Sequence, residues 1–172
     1  MSFCENCKIS NEIQMTLKDN QGLDAIDRKL LGLLSEDAEQ SYATLGDKVG
    51  LSAPAVHERV KRYKATGRIS SVTAQLDPTM TGKPFLAFLH VDTTGWGKSA
   101  AMMELRDLPE LEEIHSVTGD TCMLLKVRMQ DSKAMEALLK RLYDMPDVVS
   151  TKTYVALSTY LERPVQAGIT DF

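Results

Sequence analysis

Apolar residues recur at helical spacing in the first half of the chain. The first such segment spans residues 24–35, where Asp24 can cap a helix and Asp27 lies near the positive end of its dipole. After a polar break, a second segment spans residues 42–49. It stops at Gly50, a residue suited to the left-handed conformation that ends helices. The pattern therefore predicts two short amphipathic helices.

A third helix is predicted from Ser52 to Gly67. Ser52 is a good N-cap, Pro54 falls in the first turn, where its missing N–H costs nothing, and Gly67 can terminate the helix. Helical spacing puts three apolar residues on one buried stripe, namely Val56, Val60 and Tyr63. The opposite arc is predicted to face outward and carries Pro54, Ala55, Glu58, Lys61 and Arg62.

The second half of the chain changes to strand-like alternation. A strand in "PFLAFLHVDT" is followed by a predicted helix at residues 98–108, and the strands "EEIHSVT" and "CMLLKVRM" flank a tight turn, "TGDT". A helix at 132–143 and a strand at 148–161 complete a β-α-β-β-α-β order. That order predicts a ferredoxin-like sandwich of four antiparallel strands with both helices on one face, and the other face is predicted to be covered by a partner subunit.

The predicted fold class is thus α+β, with three amino-terminal helices and a ferredoxin-like domain. The stretch "RISSVTAQLD" is predicted to be an extended link. The proline- and glycine-containing segment after Asp77 marks the domain boundary. The predicted domains are a flexible extension at 1–22, a helix-turn-helix domain with its linker strand at 23–77, and the sandwich domain at 78–172.

The distribution of charge along the chain indicates a function for the third helix. The chain of 172 residues has a formal net charge of -4. The third helix and its flank nevertheless carry a local charge of +4, because only Glu58 opposes five cations, Arg59, Lys61, Arg62, Lys64 and Arg68. No apolar run reaches the roughly 18–20 residues that span a bilayer, so no membrane partner is expected. A merely solvated charged face is the alternative interpretation, but the three-helix spacing and the "VGLS" turn favour a helix-turn-helix that binds double-stranded DNA.

The predicted DNA contacts fall into three groups. Small residues at the start of the third helix can approach base edges, and these are Ser52, Ala53, Pro54 and Ala55. Longer side chains on the outer arc can reach bases, and these are His57, Glu58, Lys61 and Arg62. The remaining cations are expected to hold phosphates, and these are Arg59, Lys64 and Arg68.

The combination of "LDAIDRKLLGLL", "ATLGDKVGLSAPAVHERVKRYKATGRI" and "SVTGDTCMLLKV" resembles the Lrp/AsnC family of bacterial transcription regulators, also called feast/famine proteins. The resemblance covers about Leu23 to Arg163. It implies a winged helix-turn-helix, a linker strand and a ligand-sensing domain that dimerises through its sheet. In this family dimers commonly assemble into octamers, and amino acids or related metabolites bind between subunits.

The resemblance also implies an effector site in two segments. One is the loop after the second strand, Thr118, Gly119, Asp120, Thr121 and Cys122, and the other is the last strand, with Ser150, Thr151 and Thr153. Many family members read Gly-Asp-Tyr-Asp-Tyr in the loop, whereas this chain reads Gly-Asp-Thr-Cys-Met. The loss of one acid and two aromatic rings predicts a less negative, roomier pocket and leaves the effector open. Cys122 is interpreted as a small buried hydrophobe, with ligand contact or thiol sensing as the alternative.

Other interpretations remain at this point. The "CENC" motif of Cys4 and Cys7 has the spacing of half a zinc or redox site but lacks a second half, so no metal or cofactor is predicted. The amino terminus lacks the pattern of a secretory signal, which favours the cytoplasm. An enzyme is a second hypothesis, because siroheme decarboxylases resemble the same two-domain layout. The second domain offers few candidate active-site residues for it, namely His90, His115, Arg106 and Arg128. A co-regulator that oligomerises without binding DNA is the third hypothesis.

Overall fold

Three helices precede a four-stranded sheet that packs against one long helix. The computed structural model describes residues 22–94 and 103–170. The helices are α1 (Ala25–Glu36), α2 (Tyr42–Val49), α3 (Ala53–Ala65) and α4 (Ser132–Tyr143). The strands are β1 (Phe85–Thr93), β2 (Leu111–Ser116), β3 (Met123–Met129) and β4 (Val148–Val155). The predicted positions of α1, α2, α3 and α4 are confirmed to within two residues at each end.

The chain divides into two compact units. Among the described residues, the first unit contains 22–73 and 163–170, and the second contains 74–94 and 103–162. Residues 163–170 therefore group with the helices, whereas the sequence prediction placed residues 78–172 in one domain. Arg28 Nη1 of α1 donates to the Ala167 carbonyl oxygen at 3.2 Å, one contact that holds this terminal segment in the first unit.

A side-chain cap starts each helix of the first unit, and the predicted caps Asp24 and Ser52 are confirmed. Asp24 and Asp27 form a reciprocal capping box at α1, in which each carboxylate accepts the other's backbone N–H. Ser41, which was not predicted as a cap, accepts the Thr44 N–H at the start of α2. The three helices then bury one shared core, formed by Leu30, Leu45, Val56, Val60 and Tyr63. Burial of each such aliphatic side chain contributes about 1.5–3 kcal/mol.

The sheet has the strand order β2-β3-β1-β4 with all pairs antiparallel, which confirms the ferredoxin-like arrangement. One face carries Ala87, Leu89 and Val91 of β1 and packs against α4. We call the other face, which carries Phe88, His90 and Asp92 of β1, the open face. Of the helix predicted at 98–108, residues 98–102 lie outside the described part, and the remainder contains a 3-10 turn at Leu105–Asp107.

Two strand bounds differ from the prediction, each for a reason of pairing. β4 ends at Val155 rather than near residue 161, because Val155 pairs with Ala87, two residues from the start of β1. β2 ends at Ser116 and β3 begins at Met123, both inside the predicted strands. The Val117 N–H still donates to the Cys122 carbonyl at 3.1 Å, so residues 118–121 form the short connection that the sequence predicts. The predicted link at residues 68–77 pairs with no described strand.

The segment after β4 returns beside the open face. The Glu162 carboxylate accepts hydrogen bonds from Lys126 Nζ and Arg128 Nη2, both at 2.5 Å. Leu157 and Tyr160 in the same segment are 95% and 97% exposed. The chain thus covers part of this face itself, and cover of the rest by a partner subunit stays a prediction. No helix among residues 22–94 and 103–170 is long and apolar enough to cross a membrane.

Candidate nucleic-acid interface and effector site

α3 presents the outward arc that the sequence predicts. Ser52 Oγ accepts the Ala55 N–H at 3.4 Å, which fixes the start of the helix. The predicted stripe of Val56, Val60 and Tyr63 is buried. Of the predicted DNA contacts, the exposed ones are Ser52, Pro54, His57, Glu58, Lys61, Arg62 and Lys64, and the partly exposed ones are Ala53, Ala55, Arg59 and Arg68.

The turn between α2 and α3 depends on Gly46, a glycine that the sequence pattern did not single out. A Cβ added to Gly46 would clash with the Leu51 carbonyl oxygen. The Leu51 N–H in turn donates to the Gly46 carbonyl at 2.9 Å. Gly50 adopts the left-handed conformation between them, at φ 74°. The sequence did contain a signal for this close approach. Glycine destabilises the middle of a helix, so a glycine in a helix as short as α2 indicates that packing requires it.

A buried carboxylate joins α1 to α3. Asp27 is 2% exposed and accepts hydrogen bonds from the Tyr63 hydroxyl and from Arg59. Arg62 Nη2 reaches the same carboxylate at 3.2 Å. Burial by itself would raise the pKa of Asp27, but the hydrogen bonds from Tyr63 and Arg59 hold it below its usual range. Burial and the Asp27 hydrogen bond raise the pKa of Tyr63 to about 12.

This cluster changes the environment of one predicted phosphate contact. Arg59 Nη1 also lies 2.9 Å from Asp24 Oδ2, so its guanidinium is shared between two carboxylates and its side chain is 23% exposed. The hydrogen bond that Arg59 donates to Asp24, together with the one that it donates to Asp27, raises the pKa of Arg59. Local sequence patterns do not reveal this pairing, because the partners lie 35 and 32 residues away. Arg59 is therefore neutralised within its own unit.

The other cations of α3 remain outward. The Arg62 side chain is 51% exposed despite its contact with Asp27. Within the described chain, Lys61, Lys64 and Arg68 form no ion pair. A face with these cations on a capped, firmly packed helix has the shape and charge to enter a DNA groove.

The predicted effector loop is anchored at its second half. Thr118, Gly119 and Asp120 are exposed, whereas Thr121 Oγ1 donates to the Val91 carbonyl of β1 at 3.2 Å. Cys122 is partly buried against the core of the second unit and its Sγ lies 3.9 Å from the Thr93 carbonyl oxygen. The packing agrees with the interpretation of Cys122 as a small buried hydrophobe.

Strand alternation separates the three predicted residues of β4. Ser150 pairs with Asp92 and lies on the open face. Thr151 and Thr153 pair with Val91 and Leu89 and therefore lie on the α4 face. Thr151 Oγ1 accordingly contacts the Tyr143 hydroxyl, at 2.9 Å. Of the three predicted residues of β4, Ser150 alone lies on the open face, at the end of the strand that adjoins the loop at 118–122. We call this end of the face its loop side.

Asp92 connects the loop to β4, although the sequence prediction did not include it. Its carboxylate accepts the Ser150 hydroxyl at 2.6 Å. Hydrogen bonds from Ser150 and then Thr121 lower the pKa of Asp92, with smaller contributions from the charge of Lys152 and the backbone N–H of Cys122. An acid in the otherwise apolar run "FLAFLHVDT" was the signal available in the sequence.

The residues considered for an enzyme have other neighbours. His115 Nε2 lies 2.8 Å from Glu113. Arg128 is shared between Glu112 and Glu162, at 2.6 and 2.5 Å. The His90 ring stacks at 5.0 Å on Tyr154, and Arg106 lies on the 3-10 turn. Cys4 and Cys7 lie outside the described residues.

A capped three-helix unit with an outward basic helix, followed by a ferredoxin-like unit, defines a two-domain regulator of the helix-turn-helix class. Residues 23–64 match the AsnC-type helix-turn-helix domain, and residues 86–166 match the Lrp/AsnC ligand binding domain. The chain belongs to the Lrp/AsnC family, and its relatives are named as transcriptional regulators.

Two such relatives and one solved structure illustrate the match. The leucine-responsive regulatory protein of Haemophilus influenzae is 37% identical over 155 residues, 87% of this chain and 93% of that protein. The regulator FL11 of Pyrococcus horikoshii is 31% identical over 140 residues, 81% of this chain and 93% of that protein. The feast or famine regulatory protein of M. tuberculosis, solved with L-methionine, has a TM-score of 0.77 at 28% identity and covers 86% of this chain and 100% of its own.

Proposed function

We propose that this protein is a sequence-specific transcription regulator that binds double-stranded DNA through the outward face of α3 and responds to an amino acid or related small metabolite. The observation that carries the proposal is the set of exposed cations on that face, above all Lys61 and Lys64, on a helix whose other side is buried. Each phosphate that such a cation neutralises releases counterions and favours binding.

The residues of α3 divide into contacting and positioning groups. Lys64 and Arg68 hold phosphates, and the small residues at the start of the helix approach base edges. Lys61 and Arg62 reach into the groove from the exposed arc. Arg59 is a positioning residue, because its contacts with Asp24 and Asp27 tie α3 to α1.

The effector and the assembly belong to the same proposal. A relative of this chain is solved with L-methionine, and an amino acid is the effector class that we propose here. We propose a homodimer formed through the sheet, with octamers built from dimers, acting in the cytoplasm. Exposed apolar residues on the open face of β4 and just after the strand support a second copy as the neighbour, and they are Tyr154 and Leu157.

The DNA-binding test starts from random sequences, so it does not require a known operator. Random 30-base-pair duplexes are enriched by repeated binding to the full-length protein, and the selected duplex is titrated by fluorescence anisotropy. We expect a selected duplex to bind at least about 1000-fold more tightly than an unselected duplex, the lower end for specific regulators. A pool that remains random after selection contradicts sequence-specific binding and leaves the co-regulator hypothesis.

The assembly is tested by light scattering coupled to size exclusion over a range of protein concentrations. A mass of twice or eight times 19.1 kDa is expected. A monomer at every concentration, with or without selected DNA, contradicts this part of the proposal.

A further inference from the structure

The loop side of the open face contains a carboxylate that links both predicted effector segments. Asp92 lies at the end of β1, opposite Ser150 of β4, whose hydroxyl it accepts at 2.6 Å. Thr121 Oγ1 donates to the Val91 carbonyl at 3.2 Å and so holds the loop beside the same carboxylate. Asp92 therefore lies where the loop and β4 converge.

This carboxylate has charge available for a ligand. It is partly exposed, and within the described chain it forms no ion pair. The hydroxyls of Ser150 and Thr121, the charge of Lys152 and the backbone N–H of Cys122 favour its ionised form, and none of these contacts is an ion pair. An ionised carboxylate accepts about four hydrogen bonds, so positions remain for a cationic donor.

A cation lies one step along the same face. Lys152 follows Ser150 by two residues on β4 and pairs with His90, so it shares the open face with Asp92 as a diagonal neighbour. Such neighbours have Cα atoms about 7–8 Å apart. Lys152 is exposed. The two opposite charges thus occupy diagonal positions on one face, where each side chain can reach one end of a small zwitterion.

The loop itself explains why a carboxylate is needed here. The family pattern carries an acid at the position of Cys122, and in this chain that position holds a thiol packed against the core. The backbone N–H of Cys122 contributes to the lowered pKa of Asp92, so β1 places a negative charge near that position from a different strand. The charge that the loop lacks is supplied by β1.

We propose that Asp92 holds the α-ammonium group and Lys152 the α-carboxylate of an amino-acid effector. This inference rests on the proposed function, and it names the two residues that select for a free amino acid over a neutral or singly charged metabolite. Ser150 orients the Asp92 carboxylate through its hydroxyl, and Thr121 fixes the loop to β1 through the Val91 carbonyl.

The test begins with wild-type protein and the twenty common L-amino acids, screened by thermal shift and then by calorimetry. The tightest amino acid is compared with its N-acetyl derivative, which lacks the ammonium, and its methyl ester, which lacks the carboxylate. Each derivative is expected to bind at least 10-fold more weakly than the free amino acid. This comparison needs no variant, so a misfolded mutant cannot decide it.

Two variants then assign the groups to residues. Asp92→Asn is expected to weaken the free amino acid at least 10-fold and to leave the affinity for the N-acetyl derivative unchanged, because that derivative has no ammonium to lose. Lys152→Met is expected to weaken binding of the free amino acid at least 10-fold and to leave the affinity for the methyl ester unchanged, because the ester has no carboxylate to lose. The controls are Glu136→Gln and Lys133→Met, at exposed positions of α4. They change the net charge by the same amounts as Asp92→Asn and Lys152→Met, and they are expected to bind the amino acid like wild type.

The outcomes separate this inference from the proposed function. Equal affinity of wild type and Asp92→Asn for the free amino acid overturns the inference while leaving amino-acid sensing in place. A wild-type protein that binds none of the twenty amino acids overturns both the inference and the effector part of the proposed function. DNA binding is measured separately and does not depend on either result.

Discussion

The Tyr63 hydroxyl in α3 donates a hydrogen bond to the Asp27 carboxylate in α1, 36 residues away along the chain. Both groups are buried, and the same carboxylate accepts Arg59. The contact fixes how α3 is rotated about its own axis, because Tyr63 belongs to the buried stripe while Lys61 and Lys64 flank it. A buried polar contact thus sets which cations of the helix face outward.

Removal of that hydrogen bond is expected to loosen α3 without changing its charge. Tyr63→Phe should lower the free energy of unfolding of the first unit by about 1.5–3 kcal/mol, the usual contribution of a hydrogen bond to a charged group. Asp27→Ala should lower the free energy of unfolding by about 3 kcal/mol, the lower end of the range for a broken buried ion pair, because Arg59 keeps its contact with Asp24.

Native-state hydrogen exchange of the α3 amides measures both changes within the first unit. Asp47→Ala on the exposed side of α2 is the matched control and should change stability by less than about 0.5 kcal/mol. Equal protection of α3 in wild type and Tyr63→Phe would show that this contact does not fix the helix.

The same carboxylate makes the first unit sensitive to acid. Its hydrogen bonds hold the pKa of Asp27 in the folded protein below the ordinary value of 3.8. The stabilisation is therefore fully present above about pH 4 and is lost as the pH falls through the folded-state pKa. Asp27→Asn has no proton to gain, so we expect the stability difference between wild type and this variant to narrow between about pH 5 and pH 3. A difference that stays constant over that range contradicts the assignment.

Two glycines in neighbouring helices should respond to alanine in opposite directions. Gly46→Ala places a Cβ against the Leu51 carbonyl oxygen and is expected to destabilise the first unit by about 1–3 kcal/mol. Gly32→Ala in α1 meets no atom within 4 Å and should stabilise it by about 0.5–1 kcal/mol, because alanine favours helix. Urea titration of α3 exchange rates measures both, and destabilisation by both substitutions would contradict the close α2–α3 approach.

Local patterns predicted the helices well because their determinants are close in sequence. The caps Asp24 and Ser52 and the buried stripe of α3 each depend on residues within a few turns. The end of β4 was predicted too late because a strand ends where its partner ends. Nothing near Val155 reveals that β1 starts at Phe85.

The candidate sites show the same division. The outward arc of α3 follows from its own sequence, whereas the neutralisation of Arg59 requires the α1–α3 contact. Asp92 and Ser150 lie 58 residues apart, and only the register of β1 with β4 brings them together. The same register shows that Thr151 and Thr153 lie on the α4 face. Alternation along β4 separates them from Ser150 but does not say which set faces α4.

The measurement that bears most directly on DNA binding by α3 is the salt dependence of affinity. Each phosphate contact contributes about 0.9 to the slope of log K against log salt concentration. Lys64→Ala/Arg68→Ala removes the two proposed phosphate contacts and should therefore flatten the slope for the selected duplex by about 1.8, whereas Lys133→Ala/Lys140→Ala on α4 should leave it as in wild type. A slope that is equal in all three proteins, or that falls equally in both double variants, would contradict binding of DNA by the exposed cations of α3.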